Sequence, residues 1–251
     1  MNSWIILVPA RLKSQRLKEK ALVDLGGKPL IIRVCDNLRP LSKIGHKVIV
    51  ATDSSKILKT CQTFGHQAIM TSSTHNSGTD RIWEVAQTTK HTHILNVQGD
   101  EPLVYPEMFQ PLVQPLIEDN SLNCVNLMAE ISNEREFYNQ NVVKVVCDLQ
   151  ENAMFFSREP IPSLKMYSSP YKKYKQLGIY AFRKEFLFKF TKLSPTPMEI
   201  IESVDMLRLL ENGYNIRMVK IKKNIVGVDT PDDMEKVKKI MLTDPLKTKY
   251  Q

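Results

Sequence analysis

The sequence predicts an α/β protein built on a doubly wound, mostly parallel sheet, and three observations carry that expectation. Short apolar runs alternate with helix-length stretches through the first half of the chain. The first run, Trp4-Ile5-Ile6-Leu7-Val8, has the length of a buried strand and is too short to span a membrane. It breaks at Pro9 into a loop where Arg11, Lys13, Arg16, Lys18 and Lys20 stand against the single carboxylate of Glu19. In open α/β sheets ligands bind at the C-terminal ends of the strands, so this loop is the first candidate for chemistry.

The elements follow in order. After the strand at 4–8, a helix runs from Pro29 to about Leu38, with proline in the first turn, where a missing N–H costs nothing. A strand at 47–51, a helix around 54–64, a short strand at 68–70, a helix from Gly78 to about Thr88 and a strand at 93–97 continue the βαβ rhythm. Pro106 opens a further helix, and strands at 123–129 and 142–147 come in quicker succession. The segment 155–183 lacks a helix period and is rich in Pro, Ser, Tyr and Lys, which reads as loops and hairpin strands forming a lid or subunit contact. A helix is expected at 198–212 with Gly213 as its stop, then a strand at 215–221 and a last helix from Pro231.

Composition bounds the function. The 251 residues suffice for one elaborated domain spanning 1–251. No stretch approaches a membrane span and no basic region precedes the first apolar run, so the expected location is cytoplasmic, with no membrane partner. The cysteines at 35, 61, 124 and 147 lack metal-site spacing and read as buried thiols. The net charge of +8 is compatible with nucleic acid or a phosphorylated substrate, but the lysines beyond 220 are not interleaved with aromatic residues. Without stacking platforms the basic surface reads as solvated, and no nucleic-acid partner is expected.

The residues of the opening loop suit phosphate. The loop has no glycine-rich turn, so side chains must supply the grip, and Arg11, Arg16 and Lys20 can surround the β- and γ-phosphates of a nucleotide. Asp100 follows a buried-looking strand through Gln98-Gly99, where a carboxylate can hold Mg²⁺ beside phosphate. In Val228-Asp229-Thr230-Pro231-Asp232-Asp233, Thr230 onward is explained by helix capping, which leaves Asp229 as the second ligand candidate. Ser77-Gly78-Thr79-Asp80-Arg81 begins a helix, and reads either as a cap or as a phosphate- or base-reading terminus.

Taken in order, Pro9-Ala10-Arg11-x-x-Ser14-x-Arg16-Leu17-x-x-Lys20, Gly27-Lys28-Pro29-Leu30, Ala51-Thr52-Asp53, the Ser77 to Arg81 block, Asn96-Val97-Gln98-Gly99-Asp100-Glu101-Pro102, Asn141 to Val146, Phe156-Ser157-Arg158, Leu177-Gly178-Ile179-Tyr180 and Val228 to Asp233 resemble the 3-deoxy-manno-octulosonate cytidylyltransferases, the CMP-Kdo synthetases of lipopolysaccharide biosynthesis. The resemblance implies a nucleotide-diphospho-sugar transferase fold, a homodimer, CTP as co-substrate and Mg²⁺ as cofactor. It implies that Ala10, Arg11, Ser14, Arg16, Lys20, Ser77, Arg81 and Gln98 bind CTP, that Asp100 and Asp229 hold the metal, and that Lys20, Arg16 and the two aspartates carry catalysis. Arg158 and Tyr180, with Lys144 nearby, would face the acidic sugar, and a guanidinium suits a carboxylate. On the residues alone, Arg158 could equally be a surface ion pair, Tyr180 packing and Lys144 a solvent-facing strand position.

The chain departs from the family pattern in three places. Lys18-Glu19 stands where the family has Pro-Gly, which predicts a different loop path and an extra carboxylate near phosphate. Gln176 replaces a histidine, and Val204-Asp205-Met206-Leu207-Arg208 replaces Leu-Glu-Gln-Leu-Arg; Gln176 and Asp205 are therefore candidate determinants of the sugar. The alternatives are an amino-modified Kdo, a neuraminate-like acid, or a non-catalytic nucleotide or nucleic-acid binder.

Overall fold

The computed structural model describes residues 3–14, 17–163, 165–166, 171–223 and 225–243. The chain divides into two compact units, residues 1–109 with 225–251, and residues 110–224.

The first unit begins with β1 (Trp4–Ala10), α1 (Leu30–Lys43), β2 (Lys47–Thr52), α2 (Ser55–Thr63), β3 (Gln67–Met70), α3 (Gly78–Ala86) and β4 (His93–Val97). Its strands lie in the order β3-β2-β1-β4, and every pair is parallel. Ile5 to Val8 on β1 and Ile94, Leu95 and Val97 on β4 are wholly buried, as strands covered on both faces must be. Helix α1 turns Leu30, Ile31, Val34, Cys35, Leu38 and Leu41 inward at helical spacing. Pro29 sits one position before that helix with an extended ψ of 145°, and the helix runs on through Pro40 to Lys43, beyond the end expected at Leu38. Gly99 follows β4 where a Cβ would lie 2.8 Å from the Pro9 carbonyl oxygen, so only glycine lets the ends of β1 and β4 come this close.

The second unit comprises α4 (Phe109–Glu118), β5 (Cys124–Glu130), α5 (Glu134–Phe137), β6 (Lys144–Cys147), β7 (Ala153–Ser157), β8 (Tyr174–Arg183), α6 (Lys184–Lys192), α7 (Pro197–Glu202), α8 (Met206–Glu211) and β9 (Arg217–Ile221). A short 3-10 turn at Pro106–Met108 precedes α4. β8 runs antiparallel to β5 and β6, β6 and β7 form a hairpin, and β5 pairs with β9 in parallel. The segment 155–183 is thus the end of β7, a connection and β8; residues 164 and 167–170 of it lie outside the described set.

Two expectations are corrected in this unit. Helix α6 was not foreseen, although Phe186, Leu187 and Phe190 give it a buried face. The single helix expected at 198–212 is broken at Ser203, which takes a left-handed backbone with φ 52°. At the break, Arg158 reaches in after β7 and donates to the carbonyls of Glu202 and Ser203 at 2.7 and 3.1 Å. Carbonyls at a helix end need partners outside the helix, and the guanidinium supplies one to each.

The last described helix is α9 (Pro231–Leu242) in the first unit, opened by a capping box between Thr230 and Asp233.

Candidate active site

In the first unit a cavity of about 310 Å³ opens at the C-terminal ends of β1 and β4. It collects Ala10, Arg11, Ser14, Lys20, Ser77, Arg81, Gln98, Asp100 and Asp229. Arg16 lies outside the described residues. The cavity belongs to one unit because the 225–231 segment returns to it: the Val228 N–H donates to the Asp100 carbonyl at 2.8 Å, and Gly227 lies against Asp100 and Glu101. That tether brings Asp229 beside Asp100.

The two carboxylates share a cation. Lys20 Nζ lies 2.5 Å from Asp100 Oδ2 and 2.8 Å from Asp229 Oδ1. Burial alone would lower the lysine's pKa, but the two carboxylates outweigh it and hold the ammonium above its ordinary value. Lys20 thus stands between the proposed metal ligands, not apart from them on the phosphate side. A pair of hard oxygen donors that already holds one positive charge suits Mg²⁺, whose remaining positions are commonly filled by phosphate and water.

Other cavity residues serve the scaffold as well. Ser77 caps α3, accepting from the Asp80 N–H at 3.0 Å and donating to the Asp80 carboxylate at 2.8 Å. Arg81 is almost fully buried; one guanidinium nitrogen meets Thr71 Oγ1 at 2.6 Å and the other meets Asp53 at 2.9 Å. Gly78 packs its backbone against Pro9, with the Gln98 amide oxygen 3.5 Å from where a Cβ would stand.

The carboxylate brought by the Lys18-Glu19 departure does not reach the cavity. Glu19 has φ 51° and ψ 36°, the left-handed region that glycine enters without cost. The residue at the position of the family's glycine thus has a backbone that glycine favours, and the Glu19 carboxylate pairs with Lys56 at the start of α2 and is not among the groups lining the cavity.

The sugar candidates lie in the second unit. Lys144 on β6 is wholly buried, which overturns the solvent-facing alternative, and its ammonium donates to the carbonyls of Asn139, Val142 and Arg158. Burial, partly opposed by Glu159, brings its pKa down to about 8. Arg158 donates to the carbonyls of Gln140, Glu202 and Ser203, while its own backbone N–H meets the Glu202 carboxylate at 2.8 Å. Gln176 donates to Asn126 Oδ1 at 2.9 Å, and that asparagine's amide in turn bonds the Leu177 and Ile179 carbonyls. Tyr180 is buried and stacks on Phe182. Asp205 is the residue before α8. Ala21, His75 and Asn76 also line the cavity and were passed over in the sequence; the place of His75 two residues before Ser77 was the available signal.

A parallel α/β unit with cations and a carboxylate pair at its strand ends has the construction of a nucleotide-using enzyme, and the sequence profile described as Cytidylyltransferase matches residues 5–223. The chain is 41% identical over 241 residues to the 3-deoxy-manno-octulosonate cytidylyltransferase of Geotalea uraniireducens, covering 92% of this chain and 96% of that one. It is 43% identical over 239 residues to the enzyme of the same name from Chloroherpeton thalassium, covering 94% and 97%. The solved structure of a CMP:2-keto-3-deoxy-manno-octonic acid synthetase complexed with CTP superposes with a TM-score of 0.86 at 38% identity, over 96% of this chain and 98% of that one. The chain belongs to the 3-deoxy-manno-octulosonate cytidylyltransferase family.

Proposed function

We propose that this protein transfers the cytidylyl group of CTP to 3-deoxy-manno-octulosonate. The anomeric hydroxyl oxygen bonds to the α-phosphorus, the bond from that phosphorus to the bridging oxygen breaks, pyrophosphate leaves and the hydroxyl proton is lost to solvent. The observation that carries the reading is the convergence of Asp100 and Asp229 on one positive charge, within a cavity that also holds Arg11, Ser14 and Arg81. Family membership and a relative solved with CTP support the same nucleotide.

Asp100 and Asp229 would hold Mg²⁺, which when bound supplies charge neutralisation at phosphate and acidifies the attacking hydroxyl. Lys20 competes for the same carboxylates, so its ammonium is available to phosphate once they are otherwise engaged. With Arg11 and Arg16 it stabilises the charge that collects on the departing pyrophosphate. Ser77 and Gln98 line the nucleotide side. For the sugar, the reading retains Tyr180, Gln176, Asp205 and Arg158, and gives Lys144 a structural role because three carbonyls already use its donors.

The proposal extends to a homodimer working in the cytoplasm, in lipopolysaccharide biosynthesis. Exposed apolar side chains on α7, Met198, Ile200 and Ile201, support a subunit contact, and no helix among the described residues is long and apolar enough to cross a membrane. The deciding assay is pyrophosphate release with each nucleoside triphosphate against Kdo, its 8-amino analogue and N-acetylneuraminate, with and without Mg²⁺. CTP with Kdo should be fastest, and another preferred nucleotide would sink the reading.

A further inference from the structure

His75 stands on the wall of the nucleotide cavity, in the loop between β3 and α3, and no step above uses it. Its ring is held from outside the cavity's phosphate end: Nε2 bonds Oε2 of Glu84, which also accepts the Ser72 N–H at 2.9 Å. Glu84 lies on α3, so the imidazole is clamped across the loop that leads into that helix. Burial pushes the Glu84 carboxyl up, but the Ser72 amide and His75 outweigh it and hold it below the usual range, so it stays an acceptor. In the tautomer whose Nε2–H donates to that carboxylate, Nδ1 carries the lone pair and can accept.

The cavity has an order along the strand ends. Asp100, Lys20 and Asp229 form its charged end. Gly99 follows, against Pro9, and then Gln98 beside Gly78 at the start of α3. A nucleotide with its phosphates at Lys20 therefore has its base toward Gln98 and the α3 loop, where His75 stands. Cytosine carries an amino donor at N4, where uracil carries the O4 acceptor. A lone pair at Nδ1 bonds the first and opposes the second.

We infer that His75, oriented by Glu84, is the specificity-determining residue for the base: it accepts a hydrogen bond from the exocyclic amine of cytosine and rejects uracil. The inference rests on the CTP reading above, and Glu84 is a positioning residue in it.

The test is pyrophosphate release with CTP and with UTP by the full-length protein and its His75→Ala, His75→Gln and Glu84→Gln variants, each checked for fold by circular dichroism. His75→Ala should lower the CTP-to-UTP ratio of kcat/KM by on the order of tenfold or more, since the cytosine amine then loses its acceptor and the uracil carbonyl no longer meets an opposing lone pair. His75→Gln can still present an acceptor oxygen and should restore part of the ratio, and it serves if the alanine variant does not fold. Glu84→Gln should relax the ratio through KM for CTP, a change that a purely structural role for Glu84 would not produce. An unchanged ratio in folded, active His75 variants overturns the inference and leaves the proposed reaction standing. Failure of the unaltered protein to use CTP overturns both.

Discussion

Asp100 and Asp229 are bound to each other through a single ammonium, that of Lys20, with the backbone of Val228 tied to the Asp100 carbonyl behind them. Neither carboxylate is deeply buried, at 31% and 27% side-chain exposure, so each can be changed without opening the core. Asp100→Asn and Asp229→Asn should each lose about 10²- to 10³-fold in turnover, the range seen when one preorganised electrostatic group is removed, with the thermal midpoint nearly unchanged. Near-normal pyrophosphate release by either variant would refute the metal assignment.

Lys20→Met isolates the other half of the same arrangement. Without the competing ammonium the two carboxylates should bind Mn²⁺ or Mg²⁺ more tightly in the absence of nucleotide, while turnover falls because phosphate has lost a cation. Isothermal titration with metal alone reads the first effect. Weaker metal binding in this variant would argue that the lysine organises the site and does not compete for it.

Glu19→Gly should stabilise the protein by about 1 kcal/mol, the scale of the left-handed penalty for a side chain less the extra chain entropy of glycine. The lost contact with Lys56 is largely exposed and contributes little. In a chain of this size the gain corresponds to roughly 2–4 °C in thermal midpoint, read by differential scanning calorimetry. A fall in midpoint would mean that Glu19 is held by more than its backbone.

Lys144→Met separates scaffold from sugar contact. Removing three donors leaves buried carbonyls without partners, and stability should fall by about 2–4 kcal/mol, measured by urea unfolding. In the folded fraction KM for the sugar should stay within about twofold, well under the loss of one good hydrogen bond. A large rise in KM with little loss of stability would return Lys144 to the substrate.

Asp36 supplies a pH-dependent increment of stability. Burial would raise its pKa, but hydrogen bonds from His66 and Lys28 outweigh burial and bring it down to about 2. A carboxyl more acidic in the folded than in the unfolded chain stabilises the fold above its unfolded pKa of about 3.9 and loses that contribution as pH falls toward 2. The gap in unfolding free energy between the native chain and Asp36→Asn should be on the order of 2 kcal/mol at pH 6 and shrink between pH 4 and 2. A gap that is flat across that range would show that the network does not depend on the charge.

Much of the first unit was legible because its signals are local. Alternating apolar runs mark β1 to β4, and the caps at Ser54, Ser77 and Thr230 mark helix starts within a residue or two. The cavity residues were legible for a related reason, since they follow strand ends or open helices in segments marked by Pro9, Gly78, Gly99 and Pro231. What could not be read depends on partners distant in sequence. Lys144 on a strand surface pattern gives no sign that three carbonyls will surround it, and Glu19 in a basic loop gives no sign of its left-handed backbone or its pairing with Lys56. His75 was passed over because a lone histidine in a polar loop has no periodicity to mark it; only Glu84, nine positions on, shows why it is held.

The break between α7 and α8 is written outside the residues it divides. Arg158 lies 45 positions before Ser203 in the chain, yet its guanidinium holds the carbonyls where one helix stops and the next begins. Asp205, two residues past Ser203 and just before α8, therefore stands next to a turn whose carbonyls are held from the end of β7. A substitution at Arg158 would therefore reach the surroundings of Asp205 through a tertiary contact, whatever the helix propensity of the residues between 198 and 212.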